Sequence, residues 1–318
     1  MQIKTVTRAD AHSNISFKEA QNKMKKVGFI GLGIMGHHMA SNLVKAGYEV
    51  YAYDIVPACV ERAVASGCKG CGSMQEVAEN CDEFITMLPN GPHVKSVVLG
   101  ESGLASYMKE GDLLIDMSSI APGVSKELES ILSPKGIHMV DAPVSGGEPK
   151  AADGTLAIMV GGKEEDFERA KPYFDILGSS AVLVGPIGSG NTCKLTNQMI
   201  VAVNIAVLAE GLQLAKRAGA DTQKVFDAIK GGLAGSTVMN AKAPMMLAGN
   251  YQPGFKIDLH IKDLTNAMDT GYATNTPMPL TAEVMQMFQV LKADGCGQED
   301  HSALEKYYEK LTGTKVGE

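Results

Sequence analysis

The 318-residue sequence predicts an α/β domain with a doubly wound, mostly parallel sheet, joined by a long interdomain helix to an all-α domain. Three observations carry that fold class. From Met24 to about residue 184, short apolar runs alternate with amphipathic helical stretches. The first of those runs opens directly into the glycine-rich turn GLGIMG. After Gly190 every remaining pattern is helical.

Strands are expected at KVGFI (26–30), YEVYAYD (48–54), EFITML (83–88), LLIDM (113–117), HMVDA (138–142), LAIMVG (156–161) and AVLVG (181–185). Helical segments lie between the earlier ones, at 34–46, 57–66, 92–99 and 122–132. Alternation at this spacing means βαβ units with helices on both sheet faces. Residues 191–220 are apolar nearly all round and read as one helix of about 27 residues, ~40 Å long. Such a helix is expected to be buried on most sides, between domains or between subunits. Asp221 is placed to cap the next helix, and segments 237–247, 261–274, 280–293 and 301–311 follow. The predicted divisions are a polar arm (1–23), a dinucleotide-binding domain (24–190) and the all-α domain (191–318).

Composition narrows the function classes. At 45% hydrophobic and 20% charged residues the chain is ordinary globular protein, and its net charge of −7 disfavours nucleic acid as a main partner. No apolar run is expected to act as a membrane span of ~18 residues, and the polar start lacks a signal-peptide core. The expected setting is cytoplasmic. Cys68 and Cys71 form a C-x-x-C, but no second pair or matching histidines supply the four ligands of a structural zinc. Reduced thiols and no metal are expected.

The motifs point to chemistry on a nucleotide. Gly31, Gly33 and Gly36 form G-x-G-x-x-G between a strand and a helix, and Asp54 ends the next strand 18 residues beyond Gly36. Gly31 permits the tight turn, Gly33 admits a pyrophosphate, and Gly36 lets helix and strand pack closely. The helix N-terminus then offers N–H groups to the phosphates, and Asp54 accepts from the adenosine ribose. No arginine follows Asp54, so NADH is expected to be preferred over NADPH. Two further strand ends, Leu88-Pro89 and Ser118-Ser119, sit where ligands of such sheets lie.

DAPVSGG (141–147) follows another strand. Pro143 ends it, Ser145 offers a hydroxyl, and Gly146 and Gly147 expose N–H groups, together an anion nest suited to a carboxylate. A nucleophilic serine is excluded because Pro143 stands where G-x-S-x-G needs its first glycine. Lys194 is expected in the first turn of the long helix, against its dipole, with Asn197 and Gln198 on the same face. Lys262, Asn266 and Asp269 share a face of a later helix.

In order, GLGIMGHHMASNLVKAG, DAPVSGGEPKAADGTL, GSGNTCKLTNQ and HIKDLTNAMD resemble the four signatures of the β-hydroxyacid dehydrogenase family, a Rossmann domain paired with an all-α domain. MLPNGPHVKSVVLGE, IDMSSIAPG, GGLAGSTVMNAKAP and FKIDLHIKDL are similar to its tartronate semialdehyde-reducing branch. The resemblance implies an oxidoreductase converting tartronate semialdehyde and glycerate by hydride transfer, with Lys194 as general acid. It implies cofactor contacts at Gly31, Leu32, Gly33, Ile34, Met35, Gly36, Asp54, Leu88, Pro89, Ser119 and Lys262. Substrate contacts are implied at Ser145, Gly146, Gly147 and either Asn197 or Gln198. A small carboxylate aldehyde or hydroxyacid and a second copy of the chain, as homodimer or homotetramer through the all-α domain, are the implied partners. Two alternatives stand beside it: a 3-hydroxyisobutyrate or 4-hydroxybutyrate dehydrogenase on the same scaffold, and an inactive dinucleotide-binding protein, against which the intact Lys194 argues.

Overall fold

The structure, a computed structural model, describes residues 25–317; the expected polar arm lies outside them. Nine strands are found among the described residues: β1 (Lys26–Ile30), β2 (Glu49–Tyr53), β3 (Lys69–Gly70), β4 (Glu83–Thr86), β5 (Leu113–Asp116), β6 (His138–Asp141), β7 (Val144–Ser145), β8 (Leu156–Gly161) and β9 (Gly178–Gly185). They form one sheet in the order β3-β2-β1-β4-β5-β6-β8-β7, with β9 paired to β8. The run from β3 to β6 is parallel throughout, and only the β6–β8 and β7–β8 pairings are antiparallel.

Side-chain alternation along the central strands builds two cores. Phe29, Ile85, Ile115 and Val140 point to one face, where they join Leu43 of α1 (Ile34–Lys45). Their neighbours Ile30, Phe84, Leu114 and Met139 point to the other, against helices that include α2 (Pro57–Ala65), α3 (Met74–Asn80), α4 (Gly91–Leu99) and α5 (Pro122–Leu132) in chain order. Strands buried on both faces have no polar register to fall back on, which is why they read as short apolar runs. The two-residue strands β3 and β7 are too short to carry a period, so the sequence does not announce them. Likewise α6 (Gly147–Asp153) and α7 (Glu164–Leu177) fill stretches that the sequence pattern leaves unassigned.

The long helix, α8, spans Ser189–Arg217, starting and ending earlier than the expected 191–220. Its start is set from outside: buried Asp141 at the end of β6 accepts from the backbone N–H of Gly188 (2.6 Å) and of Asn191 (2.7 Å). Lys194 therefore lies in the second turn, not the first, and the helix dipole weighs less on it than the sequence implied. Gly190 is required here, since a Cβ would come 2.5 Å from the Asp141 carbonyl oxygen.

Around α8 the all-α domain packs α9 (Thr222–Ile229), α10 (Thr237–Leu247), α11 (Ile257–Thr274), α12 (Pro279–Ala293) and α13 (Glu305–Thr312). Asp221 caps α9 as expected, accepting from Lys224 N–H. Ala202, Ile205, Ala209 and Leu212 of α8 share a core with Phe226, Met246, Leu264 and Phe288. By length and composition α8 does match a membrane span, with a mean hydropathy of 1.5 over an 18-residue window, which overturns the expectation that no run approaches one. Its buried half is committed to this core. The opposite stripe stays uncovered: Ile200, Val207 and Leu214 are 58%, 62% and 72% exposed, so burial on most sides is not reached within one chain.

Asp141 should thus carry the joint between the domains. Asp141→Ala leaves two buried N–H groups without an acceptor and is expected to lose ~2–4 kcal/mol of stability, read from urea midpoints. Burial also pushes the Asp141 carboxyl up to about 6, so the folded chain holds this proton more tightly than the unfolded one. Its contribution is complete below the usual 3.8 and is lost as pH rises through about 6. Wild type should therefore lose more stability than Asp141→Asn across that window.

Candidate active site

Strands β1 and β4 are central neighbours whose connections run to opposite sides of the sheet, so the crevice beyond their ends is the topological switch point. The glycine loop sits there. Gly31 has φ +98, and a Cβ on it would lie 2.3 Å from the Met87 carbonyl oxygen. A Cβ on Gly36 would lie 1.9 Å from the Gly31 carbonyl oxygen. At Gly33 a Cβ would meet nothing within 4 Å. Protein packing explains the first and third glycines but not the second, whose emptiness fits a ligand approaching the backbone, as a dinucleotide pyrophosphate does.

Asp54 is where the motif requires it. Its carboxylate accepts from Leu32 N–H (2.7 Å) and Val56 N–H (2.9 Å), which fixes it at the lip of the loop. Arg62 of α2 also reaches the loop, donating to the Leu32 carbonyl oxygen at 2.7 Å. A guanidinium is thus present at this end of the crevice, although none adjoins Asp54 in sequence. Arg62 escapes a motif search because a helix, not a contiguous stretch, delivers it.

At the next strand ends, Ser118 is fully buried and structural: its hydroxyl accepts from Leu88 N–H at 2.9 Å. Ser119 and Pro89 instead present carbonyl oxygens to Lys262 of α11, at 2.8 and 3.2 Å. Lys262 therefore crosses between the domains. It borders a cleft of about 470 Å³ lined by Asn90, Val124, Ile261, Thr265 and Asn266 among others.

Lys194 is only 6% exposed. Its Nζ donates to Gln198 Oε1 (3.2 Å), which also accepts from Asn197 Nδ2 (2.9 Å). Gln198 Nε2 donates to Asp263 Oδ2 at 2.6 Å, and Asp263 Oδ1 pairs with Lys262 Nζ at 3.0 Å. One chain of contacts thus runs from the buried lysine on α8 to the strand ends of the first domain. Burial lowers the Lys194 pKa first of all; nearby Asp263 opposes the shift and Lys262 adds to it. Asp263 escapes the sequence pattern because Lys262 beside it already reads as half of a surface ion pair, yet Asp263 is 1% exposed.

In the DAPVSGG segment, Ser145 is half-buried on β7, and Gly146 and Gly147 adopt φ +144 and +69. Positive φ turns successive N–H groups toward one side, the geometry of an anion nest. The position of a Cβ on Gly147 lies 3.8 Å from the Gly254 carbonyl oxygen, so a loop of the second domain faces this turn. Cys68 and Cys71 are buried free thiols, both pushed up to about 11 by burial and so unsuited to redox exchange.

The model of the NAD binding domain of 6-phosphogluconate dehydrogenase matches residues 26–185, and that of the NAD-binding domain of NADP-dependent 3-hydroxyisobutyrate dehydrogenase matches residues 188–308. The chain is 42% identical to the 2-hydroxy-3-oxopropionate reductase of Escherichia coli over 92% of its own length and 99% of the relative's. The chain belongs to the β-hydroxyacid dehydrogenase family. It is an NAD(P)-dependent oxidoreductase acting on a CH–OH group. The 2-(hydroxymethyl)glutarate dehydrogenase of Eubacterium barkeri is 40% identical, covering 92% of this chain and 98% of that one. Among solved structures, the Mycobacterium tuberculosis 3-hydroxyisobutyrate dehydrogenase with L-serine superposes with a TM-score of 0.85 at 33% identity, covering 90% and 99% of the two chains.

For a dehydrogenase of this family the glycine loop makes a separable test. Gly33→Val has room to fold, so its melting temperature should match wild type while NADH affinity falls by about tenfold or more, ~1.4 kcal/mol. Gly31→Ala meets backbone and a left-handed φ, and should melt lower. Titrating NADH into both variants, with melting curves, checks the pair; equal NADH affinity in Gly33→Val and wild type would remove the loop from cofactor binding.

Proposed function

We propose that this chain reduces tartronate semialdehyde (2-hydroxy-3-oxopropanoate) to glycerate, reversibly, with NADH preferred over NADPH and Lys194 as the general acid. The observation that carries the mechanism is the 6%-exposed Lys194 ammonium, at the domain junction and tied through Gln198 to Asp263. Bound NADH supplies the hydride. As negative charge grows on the substrate's carbonyl oxygen, Lys194 Nζ hydrogen-bonds that oxygen and passes it a proton. In the oxidative direction the neutral amine takes the hydroxyl proton back. A lowered lysine pKa suits both directions, because it brings the two protonation states closer in free energy at working pH.

Ser145 and the N–H groups of Gly146 and Gly147 hold the substrate carboxylate. Gln198 has its amide engaged by Lys194, Asn197 and Asp263, so it braces the lysine. Asn197, half-buried beside it, is left to orient the substrate's hydroxyl or carbonyl. Lys262 closes the cofactor crevice from the second domain.

The substrate rests on the 42% relative and on a chemical frame that three relatives share. Each named substrate carries a hydroxymethyl or formyl group on the carbon next to a carboxylate. That frame also sustains the second reading, 3-hydroxyisobutyrate, favoured by the superposition at TM-score 0.85. Asp54 supports NADH by repelling a 2′-phosphate, while Arg62 is the one nearby charge that would oppose it. The same reading has the protein working in the cytoplasm as a homodimer or homotetramer, the uncovered Ile200, Val207 and Leu214 stripe meeting a second copy.

Two measurements test this. Lys194→Ala should lower kcat by about 10²–10⁴ with NADH binding retained, and Lys194→Arg should not rescue it, because a guanidinium holds its proton too tightly. An arginine variant with most of the wild-type kcat would show that Lys194 supplies only charge. In a panel of short semialdehydes with each cofactor, kcat/KM should be highest for tartronate semialdehyde with NADH, and Asp54→Ala should narrow the NADH preference. A higher value for methylmalonate semialdehyde selects the second reading, and a higher value with NADPH ends the cofactor assignment.

A further inference from the structure

Beneath the Lys194 turn, inside the all-α core, lie two buried imidazoles that the mechanism above does not use. His260 of α11 is fully buried and His301 is 5% exposed. Phe288 lies 5.1 Å from the His260 ring, and Phe255 lies 5.4 Å from the His301 ring and 5.7 Å from that of His260. An apolar pair of the same size would fill this space without losing hydration. Polar rings here therefore call for an account beyond packing.

The hydrogen bonds supply one. His260 Nε2 lies 3.1 Å from the Gln198 carbonyl oxygen, and His260 Nδ1 lies 2.9 Å from His301 Nδ1. A carbonyl can only accept, so His260 carries its hydrogen on Nε2. A neutral ring then has a bare Nδ1, and His301 must be the donor to it. The direction is fixed throughout: His301 donates to His260, and His260 donates to Gln198. Both rings are neutral, since burial holds His260 down to about 4 and His301 well below its usual value. The charges of Lys194 and Lys242 act the same way, while Asp263 opposes the shift at His260 and Asp300 opposes it at His301.

The far end of this pair is anchored as well. Asp300, fully buried and next to His301 in sequence, accepts from Lys242 Nζ (2.9 and 3.0 Å), from the N–H groups of Gly254 and Phe255 (3.0 Å each) and from Ser302 N–H (2.9 Å). The near end is Gln198, whose amide contacts Lys194, Asn197 and Asp263. We propose that His260, oriented by His301, is a positioning residue that holds the Gln198 turn of α8 and so keeps Lys194 and Asp263 in register for proton transfer. The proposal rests on Lys194 being the general acid. A misplacement of about 1 Å in such a set can lower turnover ~10²-fold.

The test is steady-state reduction of tartronate semialdehyde by NADH in full-length variants. His260→Leu fills the space but donates nothing. It should lower kcat about 10–100-fold while NADH affinity stays within about twofold. Its alkaline limb of kcat should also move to lower pH, because a released Gln198 no longer accepts from the Lys194 ammonium. The groups facing Lys194 that set this limb are Asp263, Lys262 and Gln198. His260→Gln can place an amide N–H near the position of Nε2 and should recover most of the lost kcat, whereas the shorter His260→Asn should not.

If His260→Leu does not fold, the glutamine–asparagine pair decides alone, and equal kcat in the two overturns the proposal. So does a folded leucine variant with wild-type kcat and an unmoved limb. Lys194→Ala in the same assay separates the two levels. If it keeps turnover, the general-acid reading fails and this proposal falls with it. If it is inactive while His260→Leu turns over at the wild-type rate, only the positioning role fails.

Discussion

The acceptance of two helix N–H groups by Asp141 is the contact on which the rest of this protein depends. It fastens the end of β6 to the start of α8, and α8 is the axis around which the second domain packs. Because the helix begins at Ser189, Lys194 falls in its second turn, buried, with Gln198 one turn further on. A start one residue later would rotate the lysine by about 100° around the helix axis. Gly190, which admits the Asp141 carbonyl oxygen against the helix, secures the same joint sterically. Two unrelated constraints, one electrostatic and one steric, thus fix the same rotation.

Burial then tunes the chemistry. Lys194 is desolvated, so its charge depends on partners, and those partners come from three elements: Gln198 on its own helix, and Asp263 and Lys262 on α11. Lys262 is in turn bonded to the carbonyl oxygens of Pro89 and Ser119 at the cofactor edge of the sheet. The two domains therefore meet through charge and hydrogen bonds at the site, not only through apolar contact. Such a joint weakens sharply if one member is removed, since the others are left buried and unpaired.

How much of this is legible in sequence differs from residue to residue. The glycine loop and Asp54 are readable because the fingerprint is local: one turn, one helix start and one strand end supply all its parts. Ser145, Gly146 and Gly147 are readable for the same reason. Arg62, Asp263, His260 and His301 are not, because each reaches the site across an interval that only folding closes. Ser118 and Ser119 read alike in sequence, yet one hydroxyl is consumed in joining strand ends while the other residue presents its carbonyl to Lys262. Asn197 and Gln198 are likewise distinguished only by burial.

The sequence by itself determined the fold class, the position of the nucleotide loop, the identity of the buried lysine and the helical character of everything after residue 190. These follow from periodicity and turn chemistry, which act over a few residues and survive without knowledge of the partner surface. Tertiary structure alone decided where α8 begins, which side of it stays uncovered, how deeply Lys194 is buried and which groups neutralise it. Those are properties of distances between segments far apart in the chain. A cap delivered by Asp141 to Asn191, or a hydrogen bond from His260 to Gln198, exists only once the intervening chain has folded and excluded water.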